Sequence, residues 1–401
     1  MALKISKLQV KDEREDSCVP FLRGILTRSL SRIGVPFDKA YRIATKVREA
    51  VDGKDLITRT ELRKLVVSQL ESAELLEEAQ RYQDAALIDP PTLVYDSDNA
   101  ARPFSKGVLV QSLEICAIER DAAYRIAAHV EQHLPNGSDT RLTTRLIEDL
   151  TAREIEKLEG MDLANRYRTW LAFTRSGRPL ILLIGGTTGV GKSTFAAELS
   201  HRLNIVRSQS TDMLREVMRL MVPKDLVPTL HTSSFEAQHV MPHLNAGQAN
   251  NSSSSMISGY LTQSEHVKLG MDGVLKRAEN EQVSMILEGV HIHPDIQNRI
   301  EKSSSGLVIP MLLSVLKKKR LKKYLVGRGQ QVSSRRSERY LKNFDRIWDL
   351  QSFLLSEADT YNIPIIEGNT DESVRMLAMQ TIAEYVIRDS AETSRAESIE
   401  I

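Results

Sequence analysis

The sequence is poor in cysteine and contains no long apolar run. Its 401 residues include two cysteines, Cys18 and Cys116, which excludes a disulfide framework and fits a reducing compartment such as the cytoplasm. No segment approaches the roughly 18 consecutive apolar residues of a membrane span. The first residues, MALKISKLQVKD, lack the apolar core of a signal peptide. We therefore expect a cytoplasmic protein without a membrane partner.

The chain also has no excess of either charge. It carries 54 lysines and arginines against 53 acidic residues, a formal net charge of +1. It thus has no global basic field that would attract nucleic acid, which is not expected as a partner. A hydrophobic content of 41% and the length fit a globular chain of two or three domains.

The strongest motif is a glycine-rich stretch between a predicted strand, 180–184, and a predicted helix. The sequence GGTTGVGKST, starting at Gly185, fits the pattern GxxxxGK[ST] of a phosphate-binding loop. Glycines let backbone N–H groups surround a phosphate, and the following helix adds its positive N-terminal end. The residues predicted to bind a nucleotide here are Gly186, Thr187, Thr188, Gly189, Val190, Gly191, Lys192, Ser193 and Thr194.

Two acidic residues follow predicted strands downstream of this loop. Glu288 ends the apolar run 283–287, and Asp212 lies just after the short run 205–207. Because ligands bind at the carboxyl ends of parallel strands, we expect Ser193, Asp212 and Glu288 to share an edge and bind Mg²⁺. Lys192 is expected in a solvent-open loop, where it reaches the β- and γ-phosphates. Lys192, Asp212 and Glu288 are therefore candidate catalytic residues, with a polar strand-end residue as the alternative for Glu288.

Basic residues supply candidates for contact with an acceptor and with a transferred phosphoryl group. Arg215 and Arg219 are four residues apart and share a helix face, which predicts either an anion clamp or a solvated surface. His231 is predicted to contact substrate; a metal site with the nearby histidines is disfavoured, because no cysteine or carboxylate completes it. Three further arginines follow the basic run 317–323, where a kinase has a mobile lid that closes over the site. Arg328 is predicted to bind nucleotide there, and Arg335 and Arg336 are predicted to act in catalysis.

Five apolar runs predict the strands of the second half: 180–184, 205–207, 283–287, 307–316 and 363–366. Helical patterns separate them, which is typical of an α/β fold with a parallel five-stranded sheet flanked by helices. The serine-rich stretch 252–255 is predicted to be flexible, with a helix beginning near Gly259.

The first half contains an internal repeat. The segment PFLRGILTRSLSRIGVPFDKAYRIATKV from Pro20 aligns without a gap with PFSKGVLVQSLEICAIERDAAYRIAAHV from Pro103, an offset of 83 residues. Identities at a constant offset over this length indicate a duplication. Thr58 and Glu61 form a predicted capping box at a helix start.

Each copy resembles an ATP-cone domain, a small helical module that binds nucleotides, over roughly residues 3–70 and 93–158. The resemblance rests on an extended segment, then Pro-Phe, then a helix with Gly and Ser-Leu. The basic arm of that family is partly kept in the first copy, with Lys11, whereas Tyr95 stands near that position in the second. A helical scaffold is the alternative, and the repeats could form a homo-oligomer interface.

The second half resembles the 2-phosphoglycerate kinase family of P-loop kinases. The resemblance is carried by GGTTGVGKST from Gly185, STDMLREVMR from Ser210, LHTSSFEA from Leu230, SMILEGVHIHP from Ser284, RYLKNFDRIWDLQSFLLSEA from Arg339 and IPIIEG from Ile363. It implies ATP and Mg²⁺ as cofactors and a small phosphorylated acid as acceptor, with 2-phosphoglycerate converted to 2,3-bisphosphoglycerate. It also implies that Arg215 and Arg219 contact the substrate.

Three other functions stay open: a nucleotide-sensing regulatory or scaffold protein, a kinase of another phosphorylated polyol, and nucleic-acid binding through the basic run 317–323. A solvated helix face explains that run better, because no aromatic residues interleave it. We predict ATP-cone-like domains at 1–88 and 89–165, a P-loop kinase domain at 175–388 after a hinge at 175–179, and a disordered tail at 389–401.

Overall fold

The structure is a computed structural model that describes residues 8–12, 17–21, 23–84, 93–96, 100–134, 142–241, 253–300, 306–331, 334–367 and 370–399. The chain divides into two compact units. The first comprises residues 1–94 with 101–104, and the second comprises residues 95–100 with 105–401.

The first unit is a small three-stranded sheet covered by helices. Its elements are β1 (Gln9–Asp12), β2 (Ser17–Pro20), α1 (Arg23–Arg32), α2 (Phe37–Ala50), β3 (Leu56–Thr58), α3 (Arg59–Glu71) and α4 (Leu76–Asp84). Strand β1 lies antiparallel to β2 and parallel to β3. The predicted capping box is confirmed at the start of α3, where the Glu61 N–H donates to Thr58 Oγ1 and the Thr58 N–H donates to the Glu61 carboxylate.

The next elements follow the same order, except that among the described residues no third strand lies between their second and third helices. They are β4 (Leu93–Tyr95), β5 (Ala101–Pro103), α5 (Lys106–Ile115), α6 (Arg120–Gln132), α7 (Thr144–Glu159) and α8 (Met161–Arg175). Helices α5 and α6 begin 83 residues after α1 and α2, the offset of the sequence repeat. Thr143 caps α7 as Thr58 caps α3. The duplication is therefore structural, while the ATP-cone assignment stays a prediction.

The remainder of the chain forms the predicted α/β fold. Its elements are β6 (Leu180–Gly185), α9 (Lys192–Arg202), β7 (Arg207–Ser210), α10 (Thr211–Met221), 3₁₀ helices at Pro228–His231, Ser234–Val240 and Pro294–Ile296, α11 (Ser253–Asn280), β8 (Met285–Glu288), α12 (Gln297–Ile300), β9 (Leu307–Leu313), α13 (Lys318–Gln331), α14 (Ser334–Lys342), α15 (Phe344–Thr360), β10 (Ile365–Ile366) and α16 (Asp371–Ile399). The strand order is β10-β9-β6-β8-β7, and every pairing is parallel. The predicted five-stranded parallel sheet is confirmed.

Strand β6 lies at the centre of this sheet and is buried on both faces. Leu182 and Ile184 pack in one apolar cluster, whereas Ile181 and Leu183 pack in another. Because successive side chains of a strand point to opposite faces, helices must cover both sides of the sheet. This burial fixes the end of β6, and hence the start of the glycine-rich loop.

Helices of the second repeat that belong to the second unit pack on the sheet-bearing part of that unit. Phe173 of α8 and Ala117 belong to the same apolar cluster as Leu182. Glu114 of α5 accepts a hydrogen bond from Arg202, the last residue of α9, at 2.8 Å. The segment predicted as a hinge lies inside this unit, and a separate kinase domain at 175–388 stays a prediction.

The C-terminus differs from the expectation of a disordered tail at 389–401. Helix α16 continues to Ile399, and the Asp389 carboxylate accepts two hydrogen bonds from Arg178, at 2.6 and 3.0 Å. The polar composition suggested disorder, but this ion pair ties the helix to the residues just before β6. Residues 400 and 401 lie outside the described part of the chain. Within that part, none of the helices combines the length and apolar character needed to cross a membrane.

Candidate functional site

The loop between β6 and α9 has a shape that requires glycine. Gly186, Gly189 and Gly191 have φ values of +136°, +94° and +94°, which disfavour other residues. A Cβ on Gly186 would lie 2.3 Å from the Leu313 carbonyl oxygen, and one on Gly189 would lie 2.4 Å from Leu325 Cδ2. The loop is therefore held tightly against β9 and α13.

Lys192 lies against the backbone of this loop. It is the first residue of α9, and its ammonium donates a hydrogen bond to the Thr187 carbonyl oxygen at 2.8 Å. Its exposed fraction is 8%, so the expected solvent-open position was wrong. The side chain folds back into the loop, because the loop closes around the ammonium. Gly191 has no side chain to cap α9, which leaves the first N–H groups of the helix for an anion.

Ser193 and Glu288 meet at the carboxyl edge of the sheet. The Ser193 hydroxyl donates to Glu288 Oε1 at 2.8 Å, and Glu288 is 6% exposed. Strands β6 and β8 are parallel neighbours, so the last residue of β8 lies beside the first turn of α9. A hydroxyl and a carboxylate are oxygen ligands of the kind that Mg²⁺ binds. The side chains present thus fit a metal ion next to the phosphate loop.

Asp212 lies in the first turn of α10, at the same edge of the sheet. Ser210, which caps α10, is in register with Glu288 across β7 and β8. The Asp212 carboxylate faces Arg215, with Oδ1 3.9 Å from Nε, and its side chain is 63% exposed. Asp212 therefore lies at the rim, whereas Glu288 is buried within the site.

Arg215 and His231 hold the backbone of the segment 228–232. The Arg215 guanidinium donates to the carbonyl oxygens of Leu230 and Thr232, at 3.1 and 2.7 Å. His231 Nε2 lies 3.0 Å from the Val222 carbonyl oxygen. Arg219 is more exposed, at 41%, and pairs with Glu216 at 2.7 Å. A substrate role for all three stays a prediction.

The three predicted lid arginines lie in two consecutive helices. Arg328 belongs to α13, and Arg335 and Arg336 belong to α14. Their side chains lie outside what the structure describes. The basic run before them packs partly on aromatic rings, since Lys318 lies over Trp348 and Lys322 over Phe344. These two contacts favour a structural role for the run.

A groove of about 660 Å³ opens beside the Ser193–Glu288 pair, between α9 and β7. Its walls carry hydroxyl and amide groups, including Ser200, Ser208 and Gln209. No arginine or lysine is among the described residues that line it.

A buried polar chain connects β8 to α10 and α11. His291 Nδ1 lies 2.9 Å from the Thr211 hydroxyl, and His291 Nε2 lies 3.1 Å from Gln263 Oε1. Burial lowers the pKa of His291 to about 4, so its imidazole is neutral at neutral pH. Where the chain is described, no group of three or more His, Cys, Asp or Glu side chains could hold a metal ion, and His243 lies outside that part.

Comparison with models of known protein families finds no match for this chain. Individual relatives are found. A protein of Thermococcus kodakarensis named 2-phosphoglycerate kinase is 36% identical over 286 residues, covering 70% of this chain and 93% of the relative. Proteins with the same name from Methanopyrus kandleri and Pyrococcus horikoshii are 34% and 31% identical, each over 74% of this chain and over 88% and 94% of their own lengths.

The chain belongs to the 2-phosphoglycerate kinase family. The match is longer than the whole segment from Arg175 to the C-terminus, so it includes part of the N-terminal repeats. It covers nearly all of the Thermococcus kodakarensis protein yet only 70% of this chain. The rest of this chain therefore lies outside the match to that relative.

Thr211 and Gln263 were missed as site residues by the sequence analysis, and His291 was given no role there. None of the stretches that carry the family resemblance includes Gln263, which lies in the middle of α11. Signals existed for His291, three residues after the strand-end Glu288, and for Thr211, which lies in the stretch STDMLREVMR. The contact among the three depends on packing of α10 and α11 against β8.

Gly289 offers a test of this packing beside the Ser193–Glu288 pair. A Cβ on Gly289 would lie 1.7 Å from Thr211 Oγ1, at a φ of +157°. We expect Gly289→Ala to lower the free energy of unfolding by about 1–3 kcal/mol through overpacking, measured by urea denaturation. Gly273→Ala is the matched control, since nothing lies within 4 Å of its Cβ in α11. Equal stabilities of the two variants would contradict this account.

Proposed function

We propose that this chain transfers the γ-phosphoryl group of ATP to 2-phosphoglycerate, giving 2,3-bisphosphoglycerate. The observation that carries the proposal is the Ser193–Glu288 pair beside the loop that holds Lys192. At one edge of the sheet, Lys192 would bind phosphate while Ser193 and Glu288 would bind Mg²⁺. The choice of 2-phosphoglycerate as acceptor rests on the relatives named 2-phosphoglycerate kinase, which are 31–36% identical to this chain.

Phosphoryl transfer depends mainly on positioning and on neutralisation of charge. Lys192 and the first N–H groups of α9 would hold the phosphates, and Ser193 and Glu288 would hold Mg²⁺. The metal ion supplies neutralisation of the charge on the phosphate oxygens. Asp212 lies exposed at the rim, where its carboxylate can accept the proton of the acceptor hydroxyl. Arg328, Arg335 and Arg336 are proposed to complete the site from α13 and α14.

The acceptor is proposed to bind on the side of α10. A phosphorylated acid needs cationic partners, and the groove beside α9 provides none among its described lining residues. Arg219 projects from α10 with 41% of its side chain exposed, whereas Arg215 and His231 shape the neighbouring segment 228–232. We therefore assign the direct anion contact to Arg219.

Removing the Arg219 side chain tests this assignment. We expect Arg219→Ala to raise the KM for 2-phosphoglycerate about 10- to 150-fold, because a charge-assisted hydrogen bond contributes roughly 1.5–3 kcal/mol. The KM for ATP should stay within about twofold. Arg277→Ala, an exposed arginine of α11 paired with Glu281, is the control. Equal changes in both KM values would argue against an acceptor contact.

The proposed function itself is tested by an acceptor screen. The purified full-length chain is supplied with ATP, Mg²⁺ and one of 2-phosphoglycerate, 3-phosphoglycerate, glycerate or glycerol phosphate. Formation of ADP is measured, and the product is identified by ³¹P NMR. We expect turnover with 2-phosphoglycerate alone. ATP hydrolysis that no acceptor stimulates would favour a nucleotide-sensing protein, and preference for glycerol phosphate would favour a polyol kinase.

Three further expectations belong to the same proposal. The two repeats are proposed to be ATP-cone-like domains, with nucleotide binding in the first copy at Lys11. They could also provide the interface of a homo-oligomer. A cytoplasmic location fits the low cysteine content and the small-molecule substrate class.

A further inference from the structure

His291 occupies an enclosed position next to the proposed metal ligands. It follows the end of β8 by three residues, and its exposed fraction is 2%. Both of its ring nitrogens face polar atoms, Thr211 Oγ1 on one side and Gln263 Oε1 on the other. A buried side chain with two such contacts joins elements that are distant in the sequence.

The hydrogen bonds of Gln263 determine where the imidazole carries its proton. Gln263 Nε2 donates to the carbonyl oxygens of Thr229 and Thr232, and a carbonyl oxygen can only accept. The amide oxygen of Gln263 therefore faces His291 Nε2. Since that oxygen also only accepts, the imidazole must carry its proton on Nε2. Nδ1 is then an acceptor for the Thr211 hydroxyl.

The hydrogen bonds that join Thr211, His291 and Gln263 span the acceptor side of the site. Thr211 is the first residue of α10 and precedes Asp212. At the other end, the Thr232 carbonyl oxygen accepts hydrogen bonds from both Gln263 and Arg215. These hydrogen bonds therefore connect the strand end at Glu288 with the helix that carries Asp212 and with the segment 228–232.

We propose that His291 is a positioning residue for phosphoryl transfer. As a neutral imidazole protonated on Nε2, it fixes α10 and the segment 228–232 relative to Glu288, so that the acceptor is held in line with the phosphate loop. The inference rests on the proposed kinase function. In this proposal His291 acts through Thr211 and Gln263 and contacts neither substrate.

Two substitutions separate this role from simple packing. His291→Leu keeps an apolar volume but removes both hydrogen bonds. His291→Asn keeps an acceptor at the position of Nδ1 for the Thr211 hydroxyl, but it is too short to donate to Gln263. We expect His291→Leu to lower kcat about 10–100-fold, the usual range for groups that orient site residues. The dissociation constant of ATP, measured by equilibrium titration, should change less than about twofold. His291→Asn should recover part of the lost kcat, because it restores the bond from the Thr211 hydroxyl.

A measurement on the wild-type chain covers the case in which His291→Leu does not fold. In ¹⁵N-histidine-labelled protein at neutral pH, the His291 ring should show the pattern of a neutral imidazole protonated on Nε2. A ring protonated on Nδ1 would overturn the inference. So would an unchanged kcat in His291→Leu, or an activity of His291→Asn no higher than that of His291→Leu. If wild-type protein shows no acceptor-dependent turnover with 2-phosphoglycerate, the proposed function fails instead, and the variants are then compared with whichever acceptor stimulates ADP formation.

Discussion

Lys192→Ala is expected to reduce ATP-dependent phosphorylation of 2-phosphoglycerate to near background. The Lys192 ammonium is the cation held against the phosphate loop, within hydrogen-bonding distance of the Thr187 carbonyl oxygen. Loss of one preorganised group that stabilises developing charge lowers kcat by about 10²–10³-fold. Initial rates of ADP formation with saturating ATP, Mg²⁺ and acceptor give the measurement.

The stability of the same variant must be followed, because Lys192 is buried. Its loss removes a charge-assisted hydrogen bond, which costs roughly 1.5–3 kcal/mol of unfolding free energy. Thermal unfolding should therefore show a folded protein with a lowered Tm. Lys276→Ala, an exposed lysine of α11, is the control and should keep wild-type activity. Wild-type turnover in folded Lys192→Ala would remove Lys192 from the catalytic residues.

Glu288→Gln is expected to have the second-largest effect. Glutamine keeps the shape and an oxygen that accepts the Ser193 hydroxyl, so the hydrogen bond of 2.8 Å can persist. It lacks the negative charge that a divalent cation requires. If this costs about 3 kcal/mol of transition-state stabilisation, kcat falls about 100-fold.

The Mg²⁺ dependence distinguishes a metal ligand from a packing residue. For Glu288→Gln, the concentration of Mg²⁺ at half-maximal rate should rise, while urea denaturation shows a fold of similar stability. Glu265→Gln, a carboxylate of α11 that is 66% exposed and pairs with Lys268, serves as the control. An unchanged Mg²⁺ requirement together with a lower kcat would assign Glu288 a role other than metal binding.

The strands of the sheet and the residues at their carboxyl ends were predictable from the sequence. The five strands were found because buried parallel strands are nearly continuous apolar runs, as in β6. The most polar strand was misplaced: β7 (Arg207–Ser210) begins two residues and ends three residues after the predicted run 205–207, and most of its side chains are exposed. The Ser193–Glu288 pair was also predictable, because parallel strands bring their carboxyl ends to one edge of the sheet.

Some local predictions were wrong where tertiary contacts outweighed composition. Residues 252–255 were predicted to be flexible, yet α11 begins at Ser253. There Gly259 lets α11 approach the Ser234–Val240 segment, and a Cβ would lie 2.3 Å from the Gln238 nitrogen. Likewise, α16 extends through the predicted tail, where Asp389 pairs with Arg178. Composition carries no information about such partners.

The sequence by itself determined the glycine-rich loop, the parallel sheet, the internal duplication and the residue types proposed to bind phosphate and Mg²⁺, because these follow from spacing and periodicity. Only the tertiary structure decided that Lys192 is buried against its own loop and that Arg215 holds the carbonyl oxygens of Leu230 and Thr232. It alone brought Thr211, Gln263 and His291 together across α10, α11 and β8. The physical reason is that a buried polar group must find its hydrogen-bond partner wherever packing places one, and that partner can lie at any distance along the chain.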